Sequence, residues 1–275
     1  MLIETKLETL GIVAGVTALG VVLAGIIVGL LFILRSRRDG KIDPQFVVTG
    51  FAIIFLGGSW YGVSGSFLAV LLTGDELFAG DTFGVHEYLI LYAWAAAASV
   101  ILWLYLVFSL VKVEWRTYAV TLYAIPVAIM YILMYAIFPF KDSTLDTSDP
   151  NEKIDRVDDF AQVTIDKDSG LPDSQLLGIP RILMIFFILT LVLGIAGTFL
   201  WVSMKTQIAE IQWKARLVGI GLAAYGLFGA IDAFLSLDVL LIIIVRIALI
   251  SCYVTIYLGY VMPNWLRSRV GLPVT

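Results

Sequence analysis

The chain has 275 residues, 60% of them hydrophobic and 15% charged, with a formal net charge of −4. Soluble domains carry about 25% charged residues, so this balance excludes an ordinary soluble domain. The charges gather into short clusters between apolar runs long enough to cross a hydrocarbon core of about 30 Å as helices, which predicts a polytopic integral membrane protein.

Seven runs are expected as spans: 9–34, 46–72, 88–111, 117–139, 179–203, 215–236 and 239–263. The predicted fold class is therefore all-α, a seven-transmembrane-helix bundle forming one membrane domain over 1–275. The alternating ten-residue strands of a membrane barrel do not appear. The first run reads as a true span: it is too long for a signal peptide, follows Glu4 and Glu8, and lacks an A-x-A-like site. Its glycines, Gly11, Gly15, Gly20, Gly25 and Gly29, include two G-x-x-x-G pairs and predict close helix packing or a homo-oligomer face.

The second run carries Gly57, Gly58, Trp60, Gly62, Ser64 and Ser66. The third opens on His86 and Glu87, with Tyr88, Tyr92, Trp94 and Ser99 below them. Pro126 should bend the fourth run, which also holds Tyr131 and Tyr135, because proline has no amide donor. The connection 140–178 holds ten acids against four bases, without the spacing of a calcium loop, and Val163–Ile165 is β-prone enough for a small hairpin. Pro180 and Arg181 open the fifth run. Gly219, Gly226 and Gly229 lie in the sixth, and Cys252, expected as a small buried hydrophobe, lies in the seventh.

Basic residues fall in alternate connections: Arg35, Arg37, Arg38, Lys41, Lys112, Arg116, Lys205, Lys214, Arg216, Arg267 and Arg269 share one side, and the acidic segments share the other. The positive-inside rule then puts the N-terminus outside and the C-terminus in the cytoplasm of a cell membrane. Trp115, Trp213 and Trp265 flank inner helix ends and read as interfacial belt residues. The inner connections are short, so no catalytic or nucleic-acid-binding domain is expected there, and any signal would pass through a protein partner.

The strongest clue is a pair of charges. Arg246 interrupts the seventh run and Asp232 ends the sixth, on either side of the outer turn at Asp238. At 1.5 Å per residue they lie roughly 9 and 12 Å below that turn, so they can meet. Ionisable groups at such depth are expensive and usually have a partner or a task. Tyr225 is seven residues before Asp232 and Tyr253 seven after Arg246, so each shares a helix face with its charge, and Tyr257 continues the stripe. A structural clamp and a ligand or proton site both fit these residues. The candidate pocket around them is Tyr225, Tyr253, Tyr257, His86, Glu87, Tyr88, Tyr92, Arg181, Trp60 and Trp94.

A single histidine excludes bis-histidine haem and histidine-rich metal centres, so no metal is expected. No nucleophile-elbow, zinc-protease or phosphate-loop pattern occurs, so an enzyme is not expected. Every lysine lies in a loop or at a helix end, which excludes covalent retinal, and no other cofactor is indicated.

The closing segment Tyr257-Leu-Gly-Tyr-Val-Met-Pro263-Asn-Trp265-Leu-Arg267 resembles the last helix of the seven-helix sensor modules of prokaryotic receptor kinases. That resemblance implies a non-enzymatic sensor or receptor-like module, responding to an external or lipid-borne small molecule and acting through a partner. Two alternatives stay open. Read as repeats, runs one to three and five to seven give a layout similar to the three-plus-one-plus-three sugar transporters, and the glycine-rich first run also suits an accessory subunit of a membrane complex.

Overall fold

A computed structural model describes residues 9–38, 41–73, 85–132, 156–157, 161–165, 172–176, 178–234 and 237–273; the strands at 156–176 and residues 73 and 85–94 are described as backbone. The helices are α1 (Thr9–Arg35), α2 (Pro44–Leu56), α3 (Tyr61–Thr73), α4 (Val85–Val111), α5 (Val113–Ile132), α6 (Gly178–Leu189), α7 (Gly197–Lys205), α8 (Ala209–Phe234), α9 (Val239–Val261) and α10 (Asn264–Arg269). A 3-10 turn, Gly57–Trp60, joins α2 to α3, and a π-helical stretch, Thr190–Ala196, joins α6 to α7. Five continuous helices among the described residues are long and apolar enough to cross a membrane: 10–35, 44–72, 178–205, 209–234 and 239–261. The protein is thus a helical membrane protein.

Helices extend past the apolar runs wherever charged residues can occupy an exposed end turn. α5 begins at Val113 with Glu114 in its first turn, and α8 begins at Ala209 with Glu210 in its first turn, four and six residues before the runs expected there. Asp43 caps α2 through the Gln45 amide, with Pro44 at the first helical position; Asp238 caps α9 through the Leu241 amide. α9 stops at Met262, held in the left-handed region at φ 47° before Pro263.

Small sheets accompany the helices. β1 (Arg37–Arg38) and β2 (Lys41–Ile42) form a short hairpin after α1. Within the acidic connection, β3 (Arg156–Val157), β4 (Ala161–Ile165) and β5 (Pro172–Leu176) form an antiparallel meander. The β-prone Val163–Ile165 is the end of its middle strand.

The helices close into a ring. α1 packs on α2 and on α9; α2 packs on α4, α4 on the π stretch, the π stretch and α7 on α8, and α8 on α9. α5 packs on α4 and more lightly on α6. Large apolar side chains cover the outside, Leu34, Leu122, Leu193 and Leu240 among them; in water such a surface would aggregate, and in a bilayer it meets acyl chains. Trp115 and Trp265 are exposed, and each lies under a cation, Lys112 at 6.0 Å and Arg269 at 5.9 Å, while Arg216 covers Trp213 at 4.9 Å.

Glycines set how closely the ring closes. A Cβ on Gly29 would lie 2.6 Å from the Gly50 carbonyl, and one on Gly50 would lie 2.6 Å from the Gly29 carbonyl, so α1 and α2 cross backbone against backbone. Gly15 faces the Phe67 ring of α3. These first-helix glycines are therefore occupied by neighbours within the chain.

Candidate functional site

Asp232, near the end of α8, and Arg246, two turns into α9, meet inside the ring: Arg246 Nε donates to Asp232 Oδ1 at 3.0 Å. Their side chains are 12% and 8% exposed. Trp60, in the 3-10 turn, donates from Nε1 to the other carboxylate oxygen at 2.8 Å. Its ring also lies beside the Arg246 guanidinium, 5.3 Å from centroid to carbon. One indole thus satisfies the carboxylate and offers its π face to the cation, tying the α2–α3 junction to α8 and α9.

Below this trio, Tyr225 meets Trp60 edge to face at 5.8 Å. Its hydroxyl donates to the Leu56 carbonyl at 2.7 Å, at the place where α2 gives way to the 3-10 turn. The Tyr253 hydroxyl is 2.9 Å from that of Tyr225. Tyr225 has a single proton, so with Leu56 accepting it Tyr253 must donate. Gly25 and Gly57 leave room for the Tyr253 ring: a Cβ on either would come within 3.3 Å of its phenol end.

A cavity of about 180 Å³ opens beside the trio, bounded by Trp60, Val63, Val100, Phe187, Leu191 and Arg246, with Gly229 and Asp232 on the α8 side. Its outer wall includes Leu191, a residue of the π stretch, and a Cβ on Gly226 would run into Val192 of that stretch. The Gly197 amide bonds back to the Val192 carbonyl, the five-residue spacing of a π-turn. Such turns recur near functional sites because they displace side chains from the regular helical register.

A second, larger cavity of about 890 Å³ lies at the other end of the ring, among the C-terminal ends of α1, α4, α7 and α9 and the start of α8. On α8 the two cavities stop seven residues apart, at Tyr225 and Val218, and on α4 seven apart, at Val100 and Val107. At 1.5 Å per residue the dividing layer is about 10 Å thick. Trp103, Ile195, Leu222 and Ile256, all fully buried, lie within that stretch of their helices.

The other expected site residues divide as follows. Tyr257 lies toward the C-terminal end of α9, where its hydroxyl accepts from Arg35 Nη1 at 2.9 Å; it lines neither cavity. Arg181 is exposed at the start of α6 and also lines neither, so it does not converge with the trio. His86, Glu87, Tyr88, Tyr92 and Trp94 belong to the α4 backbone, and their side chains lie outside the described residues. Cys252 is buried. Among the described residues no group of three or more His, Cys, Asp or Glu side chains is placed to hold a metal ion.

Sequence reasoning did not find the inner cluster. Arg267 of α10 grips Glu210 of α8 with two parallel bonds, both 3.1 Å, and its Nε donates to the Pro273 carbonyl at 2.8 Å; Lys214 reaches the same carboxylate at 2.7 Å. Glu210 and Lys214 are four apart, a spacing that predicts a helical ion pair, but helix 209–214 lies ahead of the apolar run. Comparison with known proteins finds no family model, no curated protein and no solved structure that matches the chain.

Proposed function

We propose that this chain is a seven-helix receptor-like sensor of a cell membrane, with its N-terminus outside and its basic loops in the cytoplasm. The second to seventh crossings would be 44–73, α4, α5, 178–205, α8 and α9, with α1 as the first. The observation that carries the reading is the Trp60–Asp232–Arg246 trio beside an internal cavity. Cavities of roughly 150 Å³ admit a benzene-sized guest, so one of about 180 Å³ suits a molecule of that size or slightly larger. Its walls are mainly apolar, and the Asp232 carboxylate retains lone pairs beyond the two already engaged. The ligand is therefore a small, largely apolar molecule with one hydrogen-bond donor.

Binding there adds a third donor to the Asp232 carboxylate and so weakens the bonds it accepts from Trp60 and Arg246. Loosening either changes how α8 and α9 sit against the α2–α3 junction, and both helices end at the basic inner face where a partner protein would read the shift. The test is a thermal-shift and tryptophan-fluorescence titration of the purified protein with phenol, aniline and toluene. Phenol and aniline should raise Tm and alter the fluorescence, toluene less so, and Gly229→Leu, which fills the cavity, should abolish both effects. An equal response in Gly229→Leu, or none in the wild type, overturns the reading.

A small transporter is the second reading. It is favoured by two cavities within one ring, on either side of a dry layer, as alternating access requires. Flux of the same probes into liposomes, abolished by Gly229→Leu, would select it over the sensor.

A further inference from the structure

We infer that the inner cavity is a lipid site, which holds the anionic headgroup of a phospholipid whose acyl chain leaves the ring between α4 and α7. The inference is independent of the ligand proposed for the outer cavity.

Volume and shape come first. About 890 Å³ lies within the range of cavities that hold sizeable organic ligands, roughly 300–1,000 Å³. The deeper walls are apolar, with Phe46, Val107, Phe199, Val202 and Val218 among them. The cavity has a side opening as well as a floor: among the described residues α4 meets α7 through the Trp103–Phe199 ring contact without extended packing beyond it, and Leu110 of α4, which lines the cavity, is exposed. A solute cavity fed only from the cytoplasm would not need an apolar lip on the lipid side. An acyl chain does.

Charge then selects the headgroup. The lining holds Arg35, Lys214 and Arg267 against one carboxylate, Glu210. Arg267 is committed, with two bonds to Glu210 and one to Pro273. Arg35 gives Nη1 to the Tyr257 hydroxyl, which fixes the guanidinium while its fork retains further donors, and Lys214 has two more N–H groups beyond the one directed at Glu210. A guanidinium fork on α1 and an ammonium on α8 suit a phosphodiester, whose two non-bridging oxygens can accept from both. The Arg35–Tyr257 bond also accounts for why Tyr257 points away from the outer trio. Basic pockets at helix ends near the cytoplasmic leaflet are a general solution for anionic lipids.

The experiment is native mass spectrometry of the full-length protein, exchanged into mild detergent with phosphatidylglycerol or phosphatidylcholine of matched chains. Phosphatidylglycerol should be retained about tenfold better, as expected for two cations facing one headgroup. Arg35→Gln with Lys214→Gln should bring retention down to the phosphatidylcholine level while the Glu210–Arg267 grip keeps α10 in place. Val202→Trp, which fills the apolar wall without touching a charge, should reduce retention of both lipids, and a near-wild-type Tm establishes that each variant is folded. Equal retention of the two lipids overturns the inference, as does full retention by the folded double variant. Displacement of the lipid by millimolar inorganic phosphate or palmitate would also overturn it, by assigning the cations to a free anion or a fatty acid.

Discussion

Among the described residues two arginine–carboxylate contacts differ chiefly in depth. Arg246 and Asp232 are both nearly sealed, held by one direct bond, an indole and a π face, whereas Arg267 is sealed but its partner Glu210 is 34% exposed and shared with a lysine that is 37% exposed. The Arg267–Glu210 contact is bidentate, with two parallel bonds. Depth still decides their worth, because the cost of an orphaned charge rises as water and screening are removed, while bond geometry changes the favourable term only modestly.

Four substitutions test that contrast, in descending order of effect. Asp232→Ala leaves a buried guanidinium without its carboxylate and should cost about 3–5 kcal/mol in detergent unfolding. Asp232→Leu together with Arg246→Met should recover most of that loss; if the double variant were as unstable as the single, the penalty would not be that of an unpaired charge. Arg267→Gln removes the bidentate grip but leaves Glu210 in reach of water, and about 1–2 kcal/mol is expected, read as earlier release of the C-terminal segment to protease. Tyr225→Phe deletes the hydroxyl shared by Leu56 and Tyr253 and should cost about 1 kcal/mol with no change in expression, the usual size for a single interhelical bond. Lys214→Gln should shift Tm by the equivalent of less than about 0.5 kcal/mol, since both partners are open to solvent. If Arg267→Gln cost more than Asp232→Ala, the depth argument would fail.

Five of the apolar runs were legible as membrane-length helices because a bilayer imposes length and composition directly on sequence, whereas the starts of α5 and α8 were not, since charged end turns carry those helices past the runs. The proximity of Asp232 and Arg246 was legible for a local reason: both lie within eight residues of Asp238, so helix rise alone sets their depth. Trp60 was legible as a candidate but not as a partner, because its bond to Asp232 spans 172 residues and depends on which helices adjoin. The π stretch had no signal, since Thr-Leu-Val-Leu-Gly-Ile-Ala suits an α-helix equally well. Both cavities are properties of the closed ring. Arg181 shows the opposite error: a charge at a helix mouth resembles a site residue until its helix face is known, and here that face is exposed.

The π stretch gives its helix slack. A regular α-helix is a rigid rod in which every amide is committed to one carbonyl, but a helix with a surplus residue can exchange a five-residue bond for a four-residue one and move the wide turn along its length without breaking its core of bonds. Each such step turns the residue that the wide turn passes by about 100° around the helix axis. Leu191 stands in the wall of the outer chamber, and Thr198 and Phe199, two turns on, in the wall of the inner one. The walls of the two chambers are therefore joined by one continuous helix with a movable turn, which runs past the sealed middle of the protein.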